Sequence, residues 1–212
     1  MDGAKIWDLV LAESKRRLAS MPTSPSASGR KVLTLRSQAQ RHWLKDKPRE
    51  VALVENHLGR VIRDCVDGSL PWPLVLIGKP GTGKTCAALC LLDHAGGLYF
   101  TAAGLAGKIL LAYKGELYNP DSKLRVSAAS LWEEIARTTL VVLDELGARQ
   151  RVSDHAYECV YRVVDERSGR PLVVGSNLSL DVLAGLYDDR LTSRLAAGTV
   201  LELTGPDRRL LR

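Results

Sequence analysis

The residues with the most explicit chemistry run Gly78-Lys79-Pro80-Gly81-Thr82-Gly83-Lys84-Thr85. Their spacing is G-x-x-x-x-G-K-[ST], a loop whose backbone N–H groups cradle phosphates. A nucleoside triphosphate carries about four negative charges, more than one side chain can hold. Gly78, Gly81 and Gly83 allow the backbone to turn so that successive N–H groups converge, and a helix starting there adds the positive end of its dipole. Lys84 is then expected to reach the β- and γ-phosphates, and the Thr85 hydroxyl to ligate magnesium. Cys86 closes the candidate nucleotide-contact set. A glycine turn with a solvated lysine is the plainer alternative. Context argues against it: Leu74-Val75-Leu76-Ile77 before the loop reads as a buried strand, and Cys86 to Leu92 after it as a buried helix.

A second group complements the loop. Leu140-Val141-Val142-Leu143 is a strand-like apolar run that ends in Asp144-Glu145. Asp144 is placed to hold magnesium through water, and Glu145 to take a proton from an attacking water. Beside the phosphate loop this reads as ATP hydrolysis, with ATP and Mg2+ as cofactors, rather than as a strand that happens to end in acids. Asn177, after the apolar run Pro171 to Ser176, can hydrogen-bond a γ-phosphate or the attacking water; it can equally be a turn-forming asparagine. Arg190 and Arg194 are spaced i and i+4 and share a helix face. They form either a solvated, partly acid-paired surface or a cation that reaches the γ-phosphate of a neighbouring subunit.

The elements that must position these groups alternate. After the loop helix, Leu98-Tyr99-Phe100-Thr101 reads as a strand, and the next strand begins near Thr139. The chain between them exceeds what one crossover helix needs. Two helices fit, over 102–115 and 128–137, the second opened by a capping box at Ser130-Leu-Trp-Glu133. Residues 154–168 form an amphipathic helix with Tyr157, Val160, Tyr161 and Val164 inward and Ser153 or Asp154 as cap. Thr199 to Leu203 supplies a closing strand. Strands alternating with helices define an α/β protein with a parallel sheet.

Upstream, residues 4–19 are expected to form an amphipathic helix, with Ile6, Trp7, Val10, Leu11 and Leu18 on one face, that packs on the main domain or docks a partner. Residues 20–29 are Ser/Pro-rich linker. The division expected is therefore 1–20 as helix, 21–47 as linker and basic segment, and 48–212 as the ATPase domain, whose first helix covers 49–66. The excess charge lies upstream. Of a net +6, all of it falls in residues 1–50, which hold 11 Lys/Arg against 5 Asp/Glu. Arg30 to Arg49 can meet a DNA backbone or form a solvated face.

The 212 residues accommodate one α/β domain and a small appendage. The four cysteines form no C-x-x-C pair, and Cys86 and Cys90 lie one helical turn apart, as two small buried thiols would in a reducing cytosol. No apolar run is long enough for a membrane span, and the first residues carry no secretory signal.

Taken together, Gly78–Thr85, Leu140–Glu145, Gly175-Ser-Asn-Leu178 and Arg190–Leu195 resemble the AAA+ ATPases of the DnaC/IstB group, over about residues 48 to 210. The resemblance implies a P-loop NTPase of AAA+ type, a three-layer sandwich around a five-stranded parallel sheet. It makes Lys84 and Thr85 Walker A, Asp144 and Glu145 Walker B, Asn177 sensor 1, and Arg194 the arginine finger, with Arg190 the next candidate. It also implies that residues 102–125 bind single-stranded DNA through Lys108, Tyr113 and Lys114, with Lys123 and Arg125 as further candidates. Periodicity by itself makes Leu105, Ile109, Leu110 and Leu111 a core face. The short stretch after Arg194 leaves no place for a helical lid domain or a sensor 2 arginine, as in DnaC-type loaders.

The function expected is an ATP-dependent loader of the replicative helicase, self-associating into a ring, spiral or filament on single-stranded DNA, with residues 4–19 gripping the helicase. The competing expectations are an IstB-like helper of a transposase acting on duplex DNA, a small-molecule kinase, and a binding adaptor without turnover.

Overall fold

The computed structural model describes residues 68–205 and 207, without the side chains of Cys90, Asp93 and His94. The expectations for 1–20, 21–47 and the helix at 49–66 lie outside the described residues.

Five short strands build the core: β1 Leu74–Ile77, β2 Leu98–Thr101, β3 Val141–Leu146, β4 Leu172–Ser176 and β5 Thr199–Glu202. They form one sheet in the order β2-β3-β4-β1-β5, with every pairing parallel. Among the described residues six helices accompany them: α1 Lys84–Ala95, α2 Ala102–Lys114, α3 Ala128–Arg137, α4 Asp154–Glu166, α5 Leu180–Leu186 and α6 Asp189–Ala196. The expected α/β three-layer sandwich with a five-stranded parallel sheet is the architecture observed.

Both sheet faces are covered, which is why the strands are continuous apolar runs rather than alternating ones. The pleat sends successive side chains to opposite layers. Leu74, Leu76, Val142 and Val173 pack with Ala87, Ala88, Leu91 and Leu92 of α1. Val75, Val141, Leu143 and Val174 pack instead with Leu105 and Ile109 of α2, Leu131 and Ile135 of α3, and Val160 and Val163 of α4. Full burial of each valine, leucine or isoleucine among these stabilises the fold by about 1.5–3 kcal/mol before chain entropy is counted. The expected core face of α2 is thus half right: Leu105 and Ile109 are inside, whereas Leu110 and Leu111 are exposed.

Helix starts follow local chemistry. Thr101, Ser127, Ser153, Ser179 and Asp188 each cap a helix by accepting a backbone N–H. The capping box expected at Ser130 is not the start of α3. Ser127 lies one turn earlier, and its Oγ accepts from Ser130 N at 3.0 Å while Ser130 Oγ donates to Ser127 O at 2.9 Å. A hydroxyl already outside the helix reaches the free N–H groups, so the helix opens before the box. The short α5 has no counterpart in the expected elements.

One buried charge ties the lower edge of the sheet to the helices. Arg167, 2% exposed, follows α4 and donates to four carbonyls: Ala136 O (3.3 Å), Thr138 O (2.8 Å), Thr139 O (3.1 Å) and Pro171 O (2.6 Å). Burial lowers its pKa to about 10. The guanidinium thereby serves the end of α3 and the approaches to β3 and β4 together. Arg167→Met strips these carbonyls of their donor, and each buried unpaired group costs about 1–3 kcal/mol. We expect a loss of about 3 kcal/mol or more, read as a lower urea midpoint with an unchanged denaturant slope.

Candidate active site

The phosphate-type loop leaves β1 at Gly78, whose N–H donates to Ser176 O of β4 at 3.2 Å. It turns into α1 through Gly83, a left-handed residue (φ 101°) that a side chain would strain. Among the six described helices, α1 is the one whose N-cap offers no side-chain acceptor. Its first-turn N–H groups carry the dipole's positive end without a cap side chain, which suits an anion. Thr82 is buried and its Oγ1 donates to Lys79 O at 2.9 Å, bracing the turn from inside. Lys79 and Pro80 are exposed, and Cys86 is half-buried in the first turn. Lys84 is 7% exposed and donates to Gly78 O (2.6 Å) and Lys79 O (2.8 Å), so its ammonium is held over the loop. Asp207 fills the space that a side chain at position 81 would need, 1.8 Å from an ideal Cβ there. The segment after β5 therefore passes across this loop.

Thr85 meets Asp144 directly. Thr85 Oγ1 donates to Asp144 Oδ2 at 2.7 Å, joining the first turn of α1 to β3. The same oxygen accepts from Tyr99 OH of β2 at 3.0 Å, and Oδ1 accepts from Glu145 N at 2.9 Å. Burial, then the charge of Asp144, raises the Tyr99 pKa, so the phenol stays a donor. Register explains the meeting, because Thr101 pairs with Asp144 and Leu76 with Gly175, which brings β2, β3 and β4 level. Gly175 is required by space: a Cβ there would lie 2.2 Å from Asp144 Oδ1. Tyr99 and Gly175 thus belong to the site. From the sequence Tyr99 is simply a strand residue and Gly175 only the start of Gly175-Ser-Asn-Leu178; a hydroxyl in a buried strand is the available signal.

β3 runs past the expected end, through both acids to Leu146, with an irregularity in its pairing between Leu143 and Leu146. The cause is Glu145, a non-glycine residue at φ 57°. A left-handed backbone costs about 1–3 kcal/mol and persists only where the surroundings hold it. It turns the Glu145 side chain out to solvent while Asp144 on one side and Leu146 on the other stay buried. Asn177 is exposed and directly follows Ser176, whose Oγ donates to Leu146 O at 2.8 Å and accepts from Leu178 N at 3.0 Å. The loop, Asp144, Glu145 and Asn177 therefore share the C-terminal edge of the sheet, where parallel sheets bind ligands. Thr85 and Asp144 present hard oxygens only, a donor set that fits Mg2+ retaining several waters.

Arg190 and Arg194 lie on α6. Arg194 Nη2 and Nε donate to Asp165 Oδ1 of α4 at 2.8 and 3.1 Å, with the guanidinium 4.8 Å from the Tyr161 ring centre. Arg190 is exposed beside Asp188.

The candidate DNA contacts are divided. Lys108 sits 5.2 Å over the Phe100 ring, half-buried, and burial lowers its pKa. Tyr113 and Lys114 are exposed at the end of α2. Between α2 and α3 the chain folds back as a small hairpin in which Tyr118 bridges Arg125 and Val126 N donates to Leu117 O at 2.8 Å. Buried Asn119 shapes its tip by accepting from the N–H groups of Asp121 and Ser122, both at 2.9 Å. Arg125 lies 5.9 Å over Tyr118 and its guanidinium comes to Gly115, so Lys114 and Arg125 are neighbours. Tyr118 and Leu124, both exposed, were not among the sequence candidates.

A β1–loop–α1 unit, an acid on the neighbouring strand but one, and the order β2-β3-β4-β1-β5 form a three-layer α/β sandwich consistent with an AAA+-type fold. Solved structures share this fold. The DnaC helicase loader superposes with a TM-score of 0.54 at 19% identity, over 71% of this chain and 90% of that one. The replication initiator DnaA bound to AMPPCP and single-stranded DNA gives 0.58 at 20% identity, over 71% and 47%. Domain III of the Thermotoga maritima replication initiation protein DnaA gives 0.52 at 18%, over 88% and 71%. The chain thus spans about half the length of the DNA-bound DnaA chain. At these identities the likeness is one of fold. No protein-family model matches the sequence, and no curated protein matches it. No helix among the described residues is long and apolar enough to cross a membrane.

Gly175→Ala drives a Cβ into Asp144 Oδ1, the oxygen that accepts from Glu145 N, and so displaces the carboxylate that Thr85 and Tyr99 also hold. We expect a loss of about 1–3 kcal/mol in thermal unfolding, and a much smaller loss in an Asp144→Ala background, where the collision is absent. Glu134 of α3 allows a pH test. Burial raises its pKa from 4.5 to about 7, against the pull of Lys108, and one carboxyl oxygen is buried without a hydrogen-bond partner among the described residues. A carboxyl with a raised native pKa favours the fold while it is protonated. Its contribution is complete below the unfolded value of about 4.5 and lost as pH rises through about 7. Stability should fall across that window, and Glu134→Gln should flatten the fall in melts taken from pH 4.5 to 7.5.

Proposed function

We propose that the chain is an AAA+ ATPase that loads a replicative DNA helicase, binding ATP and Mg2+ at interfaces between its own copies and gripping single-stranded DNA. The observation that carries the reading is the Thr85–Asp144 contact at the foot of an uncapped helix, with Lys84 held over the loop and Glu145 turned to solvent. The likeness to the DnaC loader, which covers nine-tenths of that chain, supports the choice of process.

A magnesium ion held with ATP would supply charge neutralisation on the phosphates as negative charge develops. Around it, the N–H groups of Gly81 to Thr85 and the Lys84 ammonium hold the phosphates, while Thr85 and Asp144 supply the protein's oxygens for the metal. Glu145 takes the proton of the attacking water as that water adds to the γ-phosphorus and the bond to the β–γ bridging oxygen breaks, leaving ADP and phosphate. Asn177 orients that water, and Arg194 of a neighbouring copy, with Arg190 the alternative, meets the charge on the γ-phosphoryl group. Tyr113, Lys114, Lys123 and Arg125 form the DNA face, with Tyr118 for base stacking; Lys108 serves it by packing beneath.

Glu145→Gln should lower kcat for phosphate release about 10²–10⁴-fold with nucleotide affinity retained. Equal rates in parent and variant would make the chain a binding adaptor, and a phosphorylated metabolite in place of free phosphate a kinase. With ATP present, affinity should be higher for single-stranded than for duplex DNA of equal length. The reverse order would replace the loader by an IstB-like transposition helper.

A further inference from the structure

Tyr157, Tyr161 and Asp165 stand at i, i+4 and i+8 on α4 and so form one stripe along that helix. Each engages α6 or its neighbour. Tyr157 OH donates to Oδ2 of Asp188, the residue that caps α6, at 2.7 Å. Tyr161 stacks on Tyr157 with ring centres 5.8 Å apart and offers its other surroundings to Arg194 at 4.8 Å. Asp165 then takes the Nε and Nη2 hydrogens of Arg194 on a single oxygen. α6 is only eight residues long, too short to be stable alone, and both its ends are thus fixed on α4.

We propose that Asp165 is a positioning residue: with Tyr161 it presents the Arg194 guanidinium to the nucleotide of the adjoining copy. The proposal rests on the reading of Arg194 as a cation acting in trans. Three features favour presentation over simple stabilisation. The ion pair is open to water, with the arginine side chain 39% and the aspartate 53% exposed, so its share in stability is about 0–1 kcal/mol. Both bonds use one edge of the guanidinium, so Nη1 keeps its hydrogens for an acceptor outside the chain. Arg190, one turn earlier on the same helix, has no such cradle among the described residues and stays beside the cap residue Asp188. The stripe therefore singles out Arg194 of the two. An arginine held in advance loses less freedom when it meets a phosphate, and its direction is set before the copies meet.

Mixing experiments separate the proposal from the reading beneath it. A recipient chain carries Arg194→Ala, so it can bind ATP but lends no arginine. A donor chain carries Lys84→Ala, so it lends Arg194 but turns over no ATP. Each is expected to be nearly inactive alone with single-stranded DNA, and the mixture to regain ATP hydrolysis. Asp165→Asn placed in the donor should lower the regained kcat about 10–100-fold at unchanged KM for ATP, with Asp165→Glu recovering part of the loss. The same Asp165→Asn placed in the recipient should change nothing, because that chain's arginine is already gone. Equal losses from donor and recipient, an unchanged rate or a faster rate with the donor variant would overturn the proposal while leaving the trans arginine standing. A mixture that regains no activity with the unaltered donor would remove the trans reading and the proposal together.

Discussion

A carboxyl group buried in a protein interior must be hydrogen-bonded to offset its lost hydration, and Asp144 meets that demand from three directions. Thr85 comes from the helix layer, Tyr99 from the neighbouring strand, and the Glu145 N–H from the chain itself. The rest of the architecture can be traced to these bonds. Strand register must bring Thr101 level with Asp144, position 175 must lack a side chain, and α1 must start where Thr85 falls over β3. The turn at Glu145 completes the arrangement. By taking a left-handed backbone, it supplies an N–H to one acid and sends the next acid outward.

The parts of this design legible in the sequence were those written in contiguous, short-range patterns. Leu74–Ile77, the glycine loop and the helix after it announce one another because a buried strand, a phosphate cradle and a helix start each have their own residue grammar. The same holds for Val141–Glu145 and for Ser153 as a cap. What remained hidden was produced by residues far apart in the chain. Tyr99 looks like any strand aromatic until register sets it beside Asp144. Arg167 looks like a surface arginine after a helix, yet it is among the most buried side chains, because four carbonyls from two helix and strand junctions converge on it. The hairpin at 117–126 escaped for a different reason. Its turn is built by the Asn119 side chain and a left-handed Lys123 rather than by the glycine pairs that mark hairpins in sequence.

The same distinction explains why the two proposed surfaces differ in character. The proposed nucleotide edge is built on Lys84 and Asp144, buried and hydrogen-bonded groups that tolerate little displacement. The hairpin and the end of α2 instead expose Tyr113, Tyr118 and Leu124 among cations, a surface that can adapt to a flexible strand. A fold shared with the DnaC loader and with DnaA accommodates both, since function in such sandwiches lies in the residues grafted on the frame.

The stretch leaving β5 crosses directly over the glycine loop. Leu203 N donates to Ile77 O at 2.7 Å, its own carbonyl lies against Gly78, and the Asp207 carboxylate abuts Gly81. Any anion seated in this loop as proposed would share one small volume with the Asp207 carboxylate, a group of its own sign, so the tail's position and the loop's contents would be tied together.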